Sequence, residues 1–395
     1  MLKKKTGLLP KLIIAIILGI LIGKLMPTKV VAIFATFNGI FGGFLGFAIP
    51  LIIVGFIAPG IGELGLGAGK LLAVTTGIAY GSTLAAGTLS YFASSLIFPN
   101  FLKAGSLALN STNPEESLVV PLFAIDMPPV FGVMTALLFA FILGLGIAAL
   151  KGDVLKRATK EFQVIIELVI NKVIIPLLPL YILGMFANMT HAGQVATILS
   201  VFSRVFIIIL ILHLTIVIIQ FLIAGAVAGV NPFKAIKNMI PAYLTAIGTQ
   251  SSAATIPVTL AQTKKNGVRD EIAEFVIPLC ATIHLSGSTI TLVACSIAVM
   301  MLNNMTFNFT SMVPFIMMLG VTMVAAPGVP GGAVIAALGL LETMLGFPEP
   351  MLALMIALYV AQDSFGTACN ITGDGAIAIC MNKLSKNTVN SASKA

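Results

Sequence analysis

The sequence predicts an all-α integral membrane protein with eight transmembrane helices and two re-entrant helical hairpins. Of its 395 residues, 58% are hydrophobic and only 9% are charged, whereas a soluble domain carries about 25% charged residues to cover its surface. Ten apolar windows follow one another with short connections, and about 20 apolar residues suffice to cross the hydrocarbon of a bilayer. We therefore expect one membrane domain over residues 1–395, with the lipid bilayer as its solvent.

The first apolar window follows Lys3, Lys4 and Lys5, as the hydrophobic region of a signal peptide follows its basic residues. A small-residue cleavage site is absent before the second window, so the first window is predicted to be an uncleaved helix. The ten windows lie at about 12–26, 30–58, 71–98, 129–150, 164–187, 198–229, 240–262, 273–301, 313–345 and 350–381. All four cysteines lie in such windows, and we expect them to be packing residues rather than disulfides or metal ligands.

Positive charge predicts the orientation, because Lys and Arg concentrate in cytoplasmic loops. With a cytoplasmic N-terminus, the basic segment 264–269 and the lysine-rich tail are cytoplasmic only if windows 240–262 and 313–345 each return to the side they entered. These windows are therefore predicted to be re-entrant hairpins, with both termini cytoplasmic and the protein in the inner or plasma membrane. Because the basic residues form brief clusters between apolar runs, no nucleic-acid partner is expected despite the net charge of +8.

Each predicted hairpin has a tip of polar or Gly/Pro-rich sequence, at 249–254 and 326–332, between arms too short to span. Non-helical backbone at membrane depth is tolerated only where it is buried in protein or lines a water-filled cavity. Each hairpin precedes an apolar helix interrupted by polar residues, at 282–288 and 363–374. The order of a hairpin followed by an interrupted helix thus occurs twice in the chain. It predicts inverted repeats with a binding site at their interface, as in secondary transporters.

The last helix carries three polar residues on one face. Asp363, Asn370 and Asp374 fall within about 40° of one another at 100° per residue. A carboxylate at the middle of a spanning helix costs at least ~2.5–3.5 kcal/mol, and neither of the last two windows contains Lys or Arg. This stripe predicts a site for a substrate or a coupling ion, and protonated acids held by internal hydrogen bonds are the structural alternative.

Four segments resemble the dicarboxylate/amino acid:cation symporters, the glutamate-transporter family. They are Thr-Gln-Ser-Ser-Ala-Ala-Thr-Ile-Pro-Val-Thr at 249–259, Pro-Leu-Cys-Ala-Thr-Ile at 278–283, Pro-Gly-Val-Pro-Gly at 327–331 and the polar stripe at 363–374. The resemblance implies an elevator-type glutamate-transporter fold and a homotrimer. It also implies a scaffold part at about 1–68 and 125–190 and a transport part at about 69–100 and 195–383.

The resemblance also implies how an amino acid substrate is held. Asp363 matches the acid that binds the α-amino group, and Asn370 is implied in binding the α-carboxylate with the serines of the first tip. The second tip, around Val329 and Pro330, would be the gate. The implied substrate-binding residues are Ser251, Ser252, Val329, Pro330, Gly331, Asp363, Gly366, Thr367 and Asn370.

Two departures from the family concern the substrate. Family members that carry acidic amino acids have an arginine three residues after the acid, where this chain has Gly366, and Gln250 also replaces an arginine of the first tip in many bacterial members. A second substrate carboxylate would then be buried without a partner, at a cost of several kcal/mol. We therefore expect a neutral amino acid as substrate, with an acidic amino acid or a dicarboxylate as the alternative.

The same resemblance implies a sodium ion at Asp374 and Asn370. Backbone carbonyls near Cys280 and His284 would complete its ligands, since oxygen ligation suits a small hard cation. No cofactor is expected besides the coupling ion.

A second implied cation site is weakened in this chain. The family's Asn-Met-Asp-Gly-Thr signature appears here as His-Leu-Ser-Gly-Ser at 284–288, so Ser286 replaces a carboxylate. Ser82 and Thr83 would face it with oxygens that carry no formal charge. His284 brings in an imidazole, the side chain that most readily gains or loses a proton near neutral pH, which makes a proton the alternative coupling ion.

Together these features predict a cation-coupled symporter of a neutral amino acid, working by an elevator mechanism, and no enzyme. An intramembrane hydrolase with Ser288 or Ser252 as nucleophile and His284 as base is a remote rival, because no nucleophile-elbow spacing occurs. A passive channel is the other rival. Its transport would not saturate and would not concentrate a substrate.

Overall fold

The computed structural model describes residues 8–64, 70–102, 104–105, 119–150, 152–193, 195–324, 326 and 331–392. All regular structure in these residues is helical, which confirms the predicted all-α class. The helices are α1 (Leu8–Leu25), α2 (Thr28–Leu64), α3 (Lys70–Ile97), α4 (Val133–Ala149), α5 (Val154–Val169), α6 (Ile175–His191), α7 (Val195–Ala228), α8 (Pro232–Thr249), α9 (Ser252–Lys265), α10 (Asp270–Ile283), α11 (Ser286–Leu302), α12 (Phe309–Val324), α13 (Gly332–Leu345) and α14 (Glu349–Ala392). A π-helical turn at Ile170–Ile174 joins α5 to α6.

Several helical stretches within the described residues suit a bilayer. Five are long and apolar enough to cross it: Thr28–Pro59, Val154–His191, Phe202–Ala228, Asp270–Leu302 and Glu349–Ser385. Three shorter apolar helices cover Leu138–Ala149, Phe309–Val324 and Gly332–Leu345. The helices coincide with the apolar windows of the sequence, and the total of eight crossings stays a prediction.

Helix α7 presents two different faces. Between 207 and 223 its exposed large side chains are aliphatic, and they include residues at helical spacing: Ile207, Ile211, Leu214, Ile218 and Leu222. Its polar residues His213 and Gln220 are buried on another side of the helix. An apolar outer face with buried polar groups is the pattern of a helix with lipid on one side and protein on the other.

The first predicted hairpin is formed by α8 and α9, which pack against each other. The chain turns at Gln250, whose φ of 53° is left-handed, a common way to end a helix although unusual for a glutamine. Ser251 then caps α9, since its side chain accepts a hydrogen bond from the backbone N–H of Ala254 at 3.3 Å. The break therefore falls inside the predicted tip.

The second predicted hairpin is formed by α12 and α13. Its predicted gate residues, Val329 and Pro330, lie outside the described residues. Gly331 precedes α13 with a φ of 75°, a conformation that glycine adopts without a β-carbon clash. Glycine at this position therefore lets the chain enter α13 from a tight turn.

The two polar segments at 282–288 and 363–374 differ in backbone structure. Helix α10 ends at Ile283 and α11 begins at Ser286, so the polar residues at 282–288 do break the backbone. Helix α14 continues through 363–374 without a break. No proline follows Pro350 in α14, so nothing in this stretch removes a helical hydrogen bond.

The helices pack in two groups. Helix α1 lies on α6, and α2 lies on α4, α5 and α6, whereas α3 and α7–α14 gather around α11 and α14. Every residue of α11 is buried, so protein rather than lipid surrounds this helix. Contacts of α2 with α12 and α13 connect the groups. The predicted scaffold and transport parts follow the same division, and their assignment stays a prediction.

Gly19→Ala tests the close packing of α1 on α6. A β-carbon at Gly19 would lie 2.5 Å from the carbonyl oxygen of Leu183, so the helices must move apart. We expect the free energy of unfolding to fall by about 1–3 kcal/mol, measured by thermal unfolding in detergent. Gly146→Ala is the control, because nothing lies within 4 Å of its added carbon. Equal stability of the two variants would contradict the close approach.

Candidate functional site

The tips of both hairpins meet the polar parts of α11 and α14 at a small cavity of about 30 Å³. The cavity is lined by Gln250, Ser252, Ala281, Thr282, Leu285, Ser288, Ala326, Ala333, Tyr359, Asp363, Thr367 and Asn370. Ser252, Asp363, Thr367 and Asn370 belong to the predicted substrate-binding set, so four of those residues come together here. A cavity of this volume has room for about two water molecules.

Asp363 connects α14 to the second hairpin. Its side chain is buried, and its Oδ2 atom accepts a hydrogen bond from the backbone N–H of Gly331 at 2.7 Å. An ionised buried carboxylate needs such donors because desolvation otherwise penalises its charge. The oxygen atom that would receive a substrate ammonium group is thus already in contact with the hairpin.

Three of the predicted substrate residues that the structure describes do not line the cavity: Ser251, Gly331 and Gly366. The side chain of Ser251 caps α9. Gly366 faces the first turn of α11, where a β-carbon would lie 3.6 Å from the nitrogen of Ser288. A β-carbon at 366 would make an ordinary contact there, so the close approach of α14 and α11 depends on Gly287, whose added β-carbon would lie 2.5 Å from the carbonyl oxygen of Gly366.

Asn370 completes the N-terminus of α11. Its Oδ1 atom accepts hydrogen bonds from the backbone N–H groups of Gly287 at 2.7 Å and Ser288 at 3.3 Å, and its Nδ2 atom donates to Ser288 Oγ at 3.0 Å. Leu285, which precedes α11, provides no side-chain cap. The free N–H groups of the helix start are thus satisfied from another helix.

A second polar cluster surrounds Asp374, one turn beyond Asn370. The Nδ1 atom of His284 lies 2.9 Å from Asp374 Oδ1, and both side chains are fully buried. Because an ionised carboxylate only accepts hydrogen bonds, Nδ1 is the donor. The other ring nitrogen, Nε2, lies 3.1 Å from Ser82 Oγ. This cluster brings together three of the predicted cation-site residues.

The remaining predicted cation-site residues differ in their placement. The backbone carbonyl of Cys280 accepts the N–H of His284 at 2.8 Å, so it lies beside the cluster. Ser286 Oγ joins the cluster through the amide of Gln220, at 3.2 Å. The hydroxyl of Thr83 donates to the Ala79 carbonyl of its own helix at 3.0 Å, and this hydrogen bond does not connect Thr83 to the cluster. All four cysteines of the chain are free and buried.

Sequence reasoning missed two residues of α7. Gln220 contacts Ser82 and His284, and His213 Nε2 lies 3.0 Å from the carbonyl oxygen of Gly287 and 3.1 Å from Thr291 Oγ1. A signal was available, since the two residues are seven positions apart in an apolar helix and so share one face. Polar residues that recur on one face of a membrane helix mark a functional interior.

Comparison with known proteins agrees with this geometry. The model of the sodium:dicarboxylate symporter family matches residues 8–384. The chain belongs to this family. The resemblance drawn from the hairpin tips and the polar stripe is thereby confirmed, and the protein is a membrane transporter of a family named for sodium-coupled symport.

Relatives cover the chain to different extents. The serine/threonine transporter SstT of Acinetobacter baumannii (strain AYE) is 27% identical over 390 residues, or 94% of this chain and 95% of that protein. Excitatory amino acid transporter 1 of Ambystoma tigrinum is 30% identical over 211 residues, or 53% of this chain and 38% of that protein. The similarity to the bacterial transporter therefore spans both packing groups.

Gly287→Ala tests the contact between α11 and Asn370. An added β-carbon would lie 2.5 Å from the carbonyl oxygen of Gly366, so α11 must move away from α14. We expect uptake by reconstituted protein to fall at least about tenfold, because two hydrogen bonds to a buried amide weaken by roughly 1 kcal/mol each. Gly77→Ala is the control, since its added carbon meets nothing within 4 Å. Unchanged uptake by Gly287→Ala would show that this contact is dispensable.

Proposed function

We propose that the protein is a sodium-coupled symporter that carries a neutral amino acid across the inner or plasma membrane. The observation that carries the proposal is the buried carboxylate of Asp363 in a cavity lined by both hairpin tips. None of the described residues that line this cavity is a Lys or an Arg. A substrate with an ammonium group would compensate Asp363, whereas an acidic side chain would enter without a cation to pair with.

The binding steps follow from the donors and acceptors at hand. The substrate ammonium group binds Asp363 and displaces the N–H of Gly331, which couples substrate binding to the second hairpin. The α-carboxylate binds the first tip at Ser251 and Ser252, and Asn370 assists it. Thr367 lies beside the side chain of the substrate, and Gly366, which faces α11, provides no cation to pair with an acidic side chain. The proposed gate is the second tip, at Val329 and Pro330.

Sodium is the proposed coupling ion, with Asp374 and Asn370 as its main ligands. The Oδ2 atom of Asp374 is buried and has no hydrogen-bond partner among the described residues. An unpaired buried carboxylate oxygen is costly, and a bound cation would offset that cost. The carbonyls near Cys280 and His284 complete the proposed site.

A proton is the second candidate for the coupling ion. The observation that favours it is the direct contact between His284 and Asp374, since an imidazole already stands where a cation would meet one carboxylate oxygen. Such a pair can bind a proton in place of a metal ion. A comparison of sodium and proton gradients separates the two candidates.

A relative that matches 94% of the chain suggests which neutral amino acids to test first. SstT is named as a transporter of serine and threonine. Hydroxyl groups of Thr282, Ser288 and Thr367 line the cavity of this protein, and a substrate hydroxyl could hydrogen-bond to them. We propose serine and threonine as the first candidates among neutral amino acids.

An elevator motion and a homotrimer complete the proposal. The scaffold would be about 1–68 and 125–190, and the transport part about 69–100 and 195–383; the two packing groups support this division. Both termini are proposed to be cytoplasmic. Native mass spectrometry tests the assembly against the chain mass of 41.2 kDa, and a monomer as the sole species would refute the trimer.

The hydrolase alternative finds no support in the geometry. His284 contacts Asp374 and Ser82, and no hydrogen bond to a proposed nucleophile, Ser288 or Ser252, is recorded for it within the described residues. Ser288 Oγ instead accepts from Asn370. The Asp-His contact therefore extends to Ser82 and reaches neither of the two predicted nucleophiles.

Uptake into liposomes tests the proposed function. Purified protein is reconstituted, and serine, threonine, alanine, leucine, aspartate and glutamate are offered under separate sodium and proton gradients. We expect saturable, concentrative uptake of a neutral amino acid driven by sodium. Uptake driven by the proton gradient alone would assign coupling to protons. A preference for acidic amino acids would refute the substrate proposal, and unsaturable flux would indicate a channel.

Asp363→Asn tests the ammonium site. The change keeps the shape of the side chain and removes its charge, so we expect uptake to fall at least about 100-fold, corresponding to ~2.7 kcal/mol or more for a buried charge pair. Asp153→Asn is the control, because Asp153 is an exposed carboxylate that pairs with Arg157 at 3.3 Å. Full uptake by Asp363→Asn would exclude an essential ion pair at this position.

A further inference from the structure

One amide links three segments of the polar cluster. The side chain of Gln220, on α7, is buried, and its Nε2 atom lies 3.0 Å from Ser82 Oγ and 3.2 Å from Ser286 Oγ. The same atom lies 3.4 Å from Nε2 of His284. Gln220 therefore contacts α3, the first residue of α11 and the break between α10 and α11 at once.

Gly373 provides the space for this arrangement. A β-carbon at Gly373 would lie 2.5 Å from Oε1 of Gln220 and 2.7 Å from Cε1 of His284. Gly373 directly precedes Asp374, so the amide and the imidazole occupy the room beside that carboxylate. The contact is thus built by four elements and does not result from one flexible side chain.

Stability does not explain why position 220 holds a glutamine. Oε1 of Gln220 is buried without a hydrogen-bond partner among the described residues, and such a group costs roughly 1–3 kcal/mol. Its neighbours Ile218, Ile219 and Phe221 are apolar, and an apolar residue would avoid the cost. A polar group kept inside a membrane protein at such a cost marks a functional position.

We propose that Gln220 is a positioning residue that sets the affinity for the coupling cation by holding His284 and Ser286 beside Asp374. Its amide donates to Ser82 and Ser286, which leaves the hydroxyl of Ser82 to donate to Nε2 of His284. Nδ1 then keeps the proton that it donates to Asp374. The ring is thereby fixed in tautomer and orientation. This role rests on the proposed cation-coupled transport and adds a residue to it.

Gln220→Met tests the role, because methionine keeps the length of the side chain and removes the amide. In liposomes, we expect the sodium concentration for half-maximal uptake to rise about tenfold, as the loss of one or two hydrogen bonds predicts. The KM for the amino acid at saturating sodium should change less than twofold. In detergent, the rise in Tm on adding sodium, measured against the same variant in potassium, should be smaller than in the wild type.

Gln362→Met is the matched control. Gln362 is also a buried glutamine with an unpaired Oε1 atom, and its Nε2 atom donates to the Leu358 carbonyl of its own helix at 3.0 Å. We expect its sodium dependence to equal that of the wild type. An equal shift in both variants would show that loss of any buried amide has this effect, which would overturn the proposal.

A double mutant separates positioning from an independent effect. If Gln220 acts through His284, adding Gln220→Met to His284→Gln should shift the half-maximal sodium concentration by much less than tenfold. A full tenfold shift in that background, or wild-type sodium dependence of Gln220→Met alone, would overturn the proposal. If the methionine variant does not fold, Gln220→Asn replaces it in these measurements, because its side chain is one carbon shorter and withdraws the amide from the cluster.

Uptake by the wild-type protein shows whether a negative result refutes the proposed function or only the role of Gln220. Absence of cation-driven uptake by the wild type would refute the proposed function itself. If protons rather than sodium drive the wild type, the same variants are compared by the proton concentration for half-maximal uptake, with the same expected shift. Normal wild-type uptake with an unshifted Gln220→Met would refute only the role of Gln220.

Discussion

The contact between Asn370 and the first turn of α11 is the interaction on which the centre of this protein depends. A broken helix inside a membrane leaves backbone N–H groups without partners, and lipid cannot supply any. Asn370 accepts two of them and donates back to Ser288. The break between α10 and α11 can therefore exist at membrane depth, and it brings His284 and Ser286 into the interior.

The two carboxylates of α14 are stabilised by different partners. Asp363 accepts a backbone N–H from the second hairpin, and Asp374 accepts from the ring of His284. The backbone N–H of Gly331 is available because Gly331 precedes α13, whereas the middle of a regular helix has no free backbone donors. His284 lies in the break between α10 and α11. The irregular segments and the acids thus depend on one another, and both lie where substrate and cation are proposed to bind.

Small residues decide how closely the helices approach at this centre. Gly287 lies against the carbonyl oxygen of Gly366, and Gly373 leaves room for the side chains of His284 and Gln220. Without a hydrophobic driving force between helices in lipid, such close packing contributes much of the association energy. Gly287 of α11 and Gly373 of α14 therefore serve the packing of this centre.

Composition and one-dimensional spacing determined the membrane environment, the helical windows, the two hairpins and the polar stripe of α14. These features depend on residues close together in the chain, and the hairpin tips were specific enough to indicate the family. The contacts of Gln220 and His213 were decided only by the tertiary structure. Gln220 and His284 are 64 positions apart, and His284 and Asp374 are 90 apart. Whether such residues meet depends on how each helix is rotated about its axis, and the packing of neighbouring helices sets that rotation.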